Sequence, residues 1–229
     1  MTGGLGLHGY YGYTSESNIP AGRFEAISAE KNGCCLRPGT FQRGNGDTKM
    51  LFPAGEKYLY SGGGFHILQL VVEAVTGMSY TEFMRREIFE PLQMNSTHMG
   101  FAREIQERVA HAYCGKPSSY WCRSSYAAGD GRMPNVVFSA LAAAGAYSTA
   151  VDIAKFIAAH FVEGGNSVLS RQTINLMTSP AKNARVSSTS VVSYGLGYKV
   201  YKNTVSGQLT VCHGGNEVWV RARLLVIVA

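Results

Sequence analysis

Two short stretches of this chain combine residue types that can do acid/base chemistry with glycines that let a ligand come close. The first is Tyr60-Ser61-Gly62-Gly63-Gly64, followed by an apolar run to Thr76. In that run the polar residues His66, Gln69, Glu73 and Thr76 recur every three or four positions, so they fall on one narrow stripe of a helix. The rest of the circumference is apolar, which predicts a helix buried in a domain core, with Gly77 as its stop. Tyr60 would then sit at the positive end of that helix. A free tyrosine has a pKa of roughly 10, and a helix N-terminus or a nearby cation favours the phenolate. Tyr60 therefore has the setting of a tunable acid/base, and equally that of a core tyrosine ahead of a glycine-rich entry turn.

The second stretch is His213-Gly214-Gly215-Asn216, placed between two predicted strands. A histidine followed by glycines at a strand end can present an imidazole and backbone N–H groups to a substrate, the usual material of an oxyanion hole. A hairpin corner with an exposed histidine has the same pattern.

Around these stretches the chain reads as α+β. Ser79 to Glu82 is a capping box for a second helix, stopped by Pro91. Thr149 and Asp152 form another, leading a helix whose apolar face is Ile153, Phe156, Ile157 and Phe161, with Gly164-Gly165 at its end. Ser170 caps a shorter helix containing Ile174 and Met177. Asn203 to Gln208 is a turn, and Leu209 to Cys212 and Val218 to Val228 read as strands. The expected organisation is a single domain over 1–229, mainly helical and loop-like over 1–190, with the strands of a sheet over 191–229.

Composition narrows the function classes. The chain has 229 residues and is 45% hydrophobic, enough for a sizeable core, and only 16% charged. Its net charge of +6 is scattered, with no basic stripe interleaved with aromatics, which argues against nucleic acid as a partner. No apolar run approaches the roughly 20 residues of a membrane span, and Met1-Thr2-Gly3-Gly4 has no signal-peptide pattern. The five cysteines read as mostly free thiols, with a Cys114–Cys122 disulfide left open. No His or Cys cluster has zinc-ligand spacing, and no cofactor is expected. Gly4-Leu5-Gly6-Leu7-His8-Gly9 is formally G-x-G-x-x-G, but it lacks the preceding strand and following helix of a dinucleotide site.

The order of several motifs resembles that of the penicillin-recognising serine hydrolases, the group of class C β-lactamases, D-alanyl-D-alanine carboxypeptidases and related esterases. Pro53-Ala54-Gly55 precedes Tyr60-Ser61-Gly62, which resembles the family's Y-x-N motif. Val75-Thr76-Gly77, Pro91-Leu92-Gln93-Met94, Ala144 to Thr149 with Asp152, and Tyr194-Gly195-Leu196-Gly197-Tyr198 follow in order. His213-Gly214-Gly215 resembles the third motif, K-T-G or H-x-G. The resemblance implies a β-lactamase/transpeptidase-like fold and attack by a serine on a β-lactam, peptide or ester carbonyl, giving an acyl-enzyme that water hydrolyses. Tyr60 would match the general base. Gly62 stands where the family has asparagine, His213 would match the lysine or histidine of the third motif, and the Asn216 N–H would match half of the oxyanion hole. Gly214 and Gly215 would line the substrate site. The implied partner is a small-molecule or peptide substrate.

The departures are as informative. The family's nucleophile lies in S-x-x-K, upstream of the tyrosine at the start of a helix. That place is far upstream and would fall before Met1, so the formal matches here, Ser28-Ala29-Glu30-Lys31 and Ser179-Pro180-Ala181-Lys182, are in the wrong place. Ser61 is not in a G-x-S-x-G setting, since Leu59 is not glycine. The expectation is a chain from which the S-x-x-K segment is absent, with strands missing from both ends of the family's sheet. The alternative is a non-catalytic binding protein, or an inactive fragment, of the same fold.

Overall fold

The computed structural model describes residues 50–56, 58–113, 131–132, 135, 137–161, 167–179, 185–186, 190–216 and 221–228. The chain enters through a tight turn at Pro53–Glu56, where Gly55 takes a left-handed φ of 85° and the Glu56 N–H reaches the Pro53 carbonyl. It then forms helix α1, Gly62–Thr76. Ser61 caps α1 by accepting the Gly64 N–H at 3.0 Å, and Gly77 ends it with φ 69° and a bond from its N–H to the Glu73 carbonyl.

Helix α2, Tyr80–Met84, is capped by Ser79, whose hydroxyl accepts the Glu82 N–H, and it widens into a π-type turn over Arg85–Phe89. Two short strands, β1 (His98–Met99) and β2 (Ala146–Tyr147), pair antiparallel. Helix α3, Ala150–Ala159, starts at Thr149, whose hydroxyl accepts the Asp152 N–H. Helix α4, Arg171–Thr178, starts at Ser170 in the same way. The expected glycine stop at Gly164-Gly165 lies outside the described residues.

The second half is a five-stranded antiparallel sheet in sequential order: β3 (Arg185–Val186), β4 (Ser190–Tyr194), β5 (Lys199–Asn203), β6 (Leu209–Asn216) and β7 (Arg221–Val228). The β5–β6 turn closes as expected, with the Asn203 side chain accepting the N–H groups of Val205 and Ser206. One core cluster joins Tyr198, Val200 and Val211 of the sheet to Ile157 of α3 and Met177 of α4. A second gathers Phe89, Met94 and Met99 with Leu141 and Phe156. Val200 and Val211 are fully sequestered, worth about 1.5–3 kcal/mol each. Among the described residues no helix is long and apolar enough to cross a membrane.

Two expectations are corrected. Helix α1 is not buried all round. Ile67, Leu68, Val71 and Val75 are exposed, Val75 to 81%, whereas His66 and Gln69 of the polar stripe are buried. The stripe faces inward because it has backbone groups to satisfy. Gln69 donates to the Ser139 carbonyl at 3.3 Å and accepts the Ala142 N–H at 3.2 Å, while Glu73 accepts the Tyr80 N–H. Second, His213-Gly214-Gly215-Asn216 is not a corner between strands. It is the second half of β6, paired with Arg221–Leu224 of β7.

Candidate functional site

Tyr60 lies one residue before the N-cap of α1, so its position is set by the Ser61 cap and the turn at Gly55. Ser61 itself is committed to that cap and is buried, which leaves it no nucleophilic role. Gly62 and Gly63, both buried, form the first helical positions. Much later in the chain His213 follows Cys212, whose cross-strand partner is Lys199 of β5, which in turn pairs with Tyr194 of β4. Strand β6 therefore runs on past the start of β5. From His213 onward one edge is paired with β7 and the other extends beyond the β5 ladder. Gly214 and Gly215 are exposed, and a side chain added at Gly215 would meet nothing within 4 Å. Asn216 closes β6 opposite Arg221.

The two stretches are joined by a residue that the sequence reading used only as part of a motif. The Tyr194 ring packs on Tyr58 at a centroid distance of 5.2 Å and meets the His213 ring edge-on at 6.2 Å with an interplanar angle of 89°. Tyr194 is 7% exposed, and after burial the charges of Tyr58, Tyr60 and Cys212 oppose its ionisation. Burial is the larger cause, and together these push its pKa far above the tyrosine norm. Tyr58 is raised for the same two kinds of reason, burial first and then Tyr60. His213 is pushed down, by burial first and then by the positive Lys199, with a backbone hydrogen bond at Gly214 acting the other way. Its imidazole is therefore neutral at pH 7, able to donate at one nitrogen and accept at the other.

The placement of Tyr194 has a specific cause. The next residue, Gly195, passes so close to α4 that an added Cβ would lie 2.1 Å from the Met177 carbonyl oxygen. The same carbonyl accepts the Leu196 N–H at 2.9 Å, and the Gly195 N–H reaches the Tyr198 carbonyl at 2.8 Å. The sequence signal for this was Tyr194-Gly195-Leu196-Gly197-Tyr198, a turn whose glycine requirement is legible but whose aim is not.

Ser179 caps the C-terminal end of α4, its hydroxyl donating to the Asn175 carbonyl, so it does not open a helix as an S-x-x-K serine would. Ser28 and Lys31 lie outside the described residues, as do Cys34, Cys35, Cys114 and Cys122. Cys212 is a free thiol. Among the described residues no group of His, Cys, Asp and Glu could hold a metal ion. A surface hollow of about 540 Å³ lined by Arg103, Glu104, Glu107 and Arg108 includes none of these site residues and mixes both charges.

The family model for β-lactamase matches residues 40–228. The chain belongs to the β-lactamase family. A stretch of 60 residues is 37% identical to penicillin-binding protein 4* of Bacillus subtilis (strain 168), covering 26% of this chain and 13% of that protein. The octameric penicillin-binding protein homologue from Pyrococcus abyssi superposes with a TM-score of 0.61 at 25% identity, over 79% of this chain and 39% of the other. The β-lactamase/D-alanine carboxypeptidase from Pseudomonas syringae does so with a TM-score of 0.60 at 13% identity, over 99% of this chain and 62% of the other. These likenesses establish the β-lactamase/transpeptidase-like α+β fold. The chain thus spans less than two thirds of the length of each of these relatives.

Proposed function

We propose that this chain carries the tyrosine and third-motif side of a serine-hydrolase site acting on β-lactam, D-alanyl-D-alanine peptide or ester bonds. The observation that supports this reading is that the Tyr194 ring meets both Tyr58, two residues before Tyr60, and His213, 153 positions after Tyr60. In this reading Tyr60, as phenolate, takes the proton of an attacking serine hydroxyl and returns it to the leaving amine or alcohol. The serine oxygen bonds to the carbonyl carbon, and water then releases the acyl group. Neutral His213 hydrogen-bonds the proton carrier or the substrate, and the overhanging backbone of Gly214, Gly215 and Asn216 receives the substrate's oxygen. In this reading the nucleophile is supplied by an S-x-x-K segment other than the two formal matches at Ser28 and Ser179.

The energetics set a requirement. Bringing a phenol from about 10 to about 7 takes about 4 kcal/mol of preference for the charged form. The N-terminus of α1 contributes about 0.3–1 kcal/mol. The remainder must come from cations and hydrogen-bond donors around Tyr60.

The test is intact-mass spectrometry of the folded chain after exposure to a penicillin and, separately, to a fluorophosphonate. This reading expects no one-to-one adduct from the chain by itself. A serine adduct slowed by Tyr60→Phe would place the nucleophile within these residues. A chain that binds a penicillin reversibly, unaffected by Tyr60→Phe, would be a binding protein with this fold.

A further inference from the structure

We propose that Tyr194 is a positioning residue for Tyr60: its buried hydroxyl is the hydrogen-bond donor that steadies the Tyr60 phenolate. The inference rests on the reading of Tyr60 as the proton carrier of the site and names what sustains it.

The first observation is an unmet hydrogen bond. The Tyr194 hydroxyl oxygen is buried and has no hydrogen-bond partner among the described residues. A buried hydroxyl left unpaired is destabilising, and such groups are uncommon unless another state supplies the partner. The second is rigidity. Gly195 lies against the Met177 carbonyl, Leu196 is bonded to it, and the Tyr194 ring is held between Tyr58 and His213. The backbone that carries the ring is therefore fixed against α4, and the ring itself is packed against two aromatic neighbours. The third is the character of the neighbours. The titratable groups facing Tyr194 are Tyr58 and Tyr60 from the segment before α1, and Cys212 and His213 from β6, with Lys199 of β5 acting on His213.

These groups do not compete equally for a proton. Burial and the surrounding phenols keep Tyr194 protonated well beyond the range in which an ordinary tyrosine ionises. When Tyr60 gives up its proton, the neighbouring O–H is therefore still in place to donate. An O–H donating to a phenolate is a charge-assisted bond, roughly twice as strong as one between neutral groups. Paired groups whose environments push their pKa values apart divide into one that carries the proton and one that keeps it. No bond other than the hydrogen bond forms, and the Tyr60 proton goes to solvent or to the leaving group.

The test needs neither nucleophile nor substrate. Tyrosinate formation in the 229-residue chain is followed by near-ultraviolet absorbance and by carbon-13-labelled tyrosine NMR, with Tyr60 assigned through Tyr60→Phe. The expected result is a Tyr60 midpoint below the ordinary value of about 10, which Tyr194→Phe raises by about one unit, a tenfold loss of ionisation. A low midpoint unchanged by Tyr194→Phe overturns this proposal and leaves Tyr60 as the proton carrier. An ordinary midpoint in both proteins overturns the proton-carrier reading, and this proposal with it. Should Tyr194→Phe not fold, the wild-type chain decides. Above the Tyr60 midpoint a slowly exchanging Tyr194 hydroxyl proton close to the Tyr60 ring is expected, and a freely exchanging one overturns the inference.

Discussion

Asp152, in the first turn of α3, accepts the backbone N–H of Ser96 at 2.7 Å. The same oxygen takes the Thr97 hydroxyl at 2.9 Å, and the other accepts Lys155 at 3.0 Å. One carboxylate therefore ties the segment before β1 to a helix more than fifty residues later. Burial disfavours its charge, but Lys155, the Ser96 N–H and the Thr97 hydroxyl together outweigh it and hold the pKa below the usual carboxylate value.

Asp152→Ala leaves the Ser96 N–H and the Thr97 hydroxyl without their acceptor and should destabilise the chain by about 1–3 kcal/mol at pH 7. Because the folded-state pKa is depressed, the carboxylate's contribution is complete above the unfolded value of about 4. It is lost as pH falls through the lowered folded value. The gap between wild type and Asp152→Ala in urea midpoints should therefore close below about pH 4. A gap that persists unchanged in acid would show that the charge is not what holds the segment.

Gly195→Ala tests how Tyr194 is placed. The new methyl would lie 2.1 Å from a backbone oxygen, which cannot rotate away as a side chain would. Either α4 or the β4–β5 turn must move, at a cost of about 1–3 kcal/mol as for other overpacked sites. A lowered midpoint, with a change in near-ultraviolet dichroism from the displaced Tyr58–Tyr194 pair, is the expected outcome. A variant as stable as wild type would show that the turn does not press on α4. Gly197→Ala is a useful contrast. It has open space around it, but its φ of 92° strains any side-chain-bearing residue, so its cost is conformational.

The helix caps were readable because each is a local contract between a hydroxyl and an N–H three residues on. Ser79, Thr149 and Ser170 all do what their spacing predicts. Gly77 ends α1 for an equally local reason. The side of α1 that faces the protein was not readable. Periodicity reports where polar residues lie, and burial depends on what they meet, here the backbone at Ser139 and Ala142 some seventy positions away. The extension of β6 through two glycines was hidden in the same way, since pairing with β7 overrides the turn preference of Gly214-Gly215. Tyr60 and His213 could be named as candidates from their local sequence, but Tyr194, whose ring meets those of Tyr58 and His213, was visible only as a motif letter.

The inverted face of α1 gives a prediction opposite to one from hydropathy. Gln69→Leu replaces a polar residue in an apolar run, yet it should cost about 1–3 kcal/mol, because the Ser139 carbonyl and the Ala142 N–H both lose a partner. Val75→Lys, at an 81% exposed position, should fall within about 0.5 kcal/mol of wild type and reduce binding of a hydrophobic dye. Urea titration of the two variants decides the matter. A larger loss for Val75→Lys would mean that the apolar face is covered in solution.

Lys199 and His213 provide the last test. His213 is held below the ordinary histidine value by burial first and by the Lys199 charge second. Lys199→Gln removes only the second cause, so the His213 midpoint, followed by proton NMR, should rise but stay below about 6.5. The stability consequence has a definite sign. A histidine with a depressed folded pKa contributes stability that is present above the unfolded value of about 6.5 and lost as pH falls through the folded one. With less depression, Lys199→Gln should lose less stability than wild type between about pH 6.5 and the wild-type midpoint. A His213 midpoint that does not move would place the ammonium too far away, or too well screened, to act on the imidazole. The neutral form would then rest on burial alone.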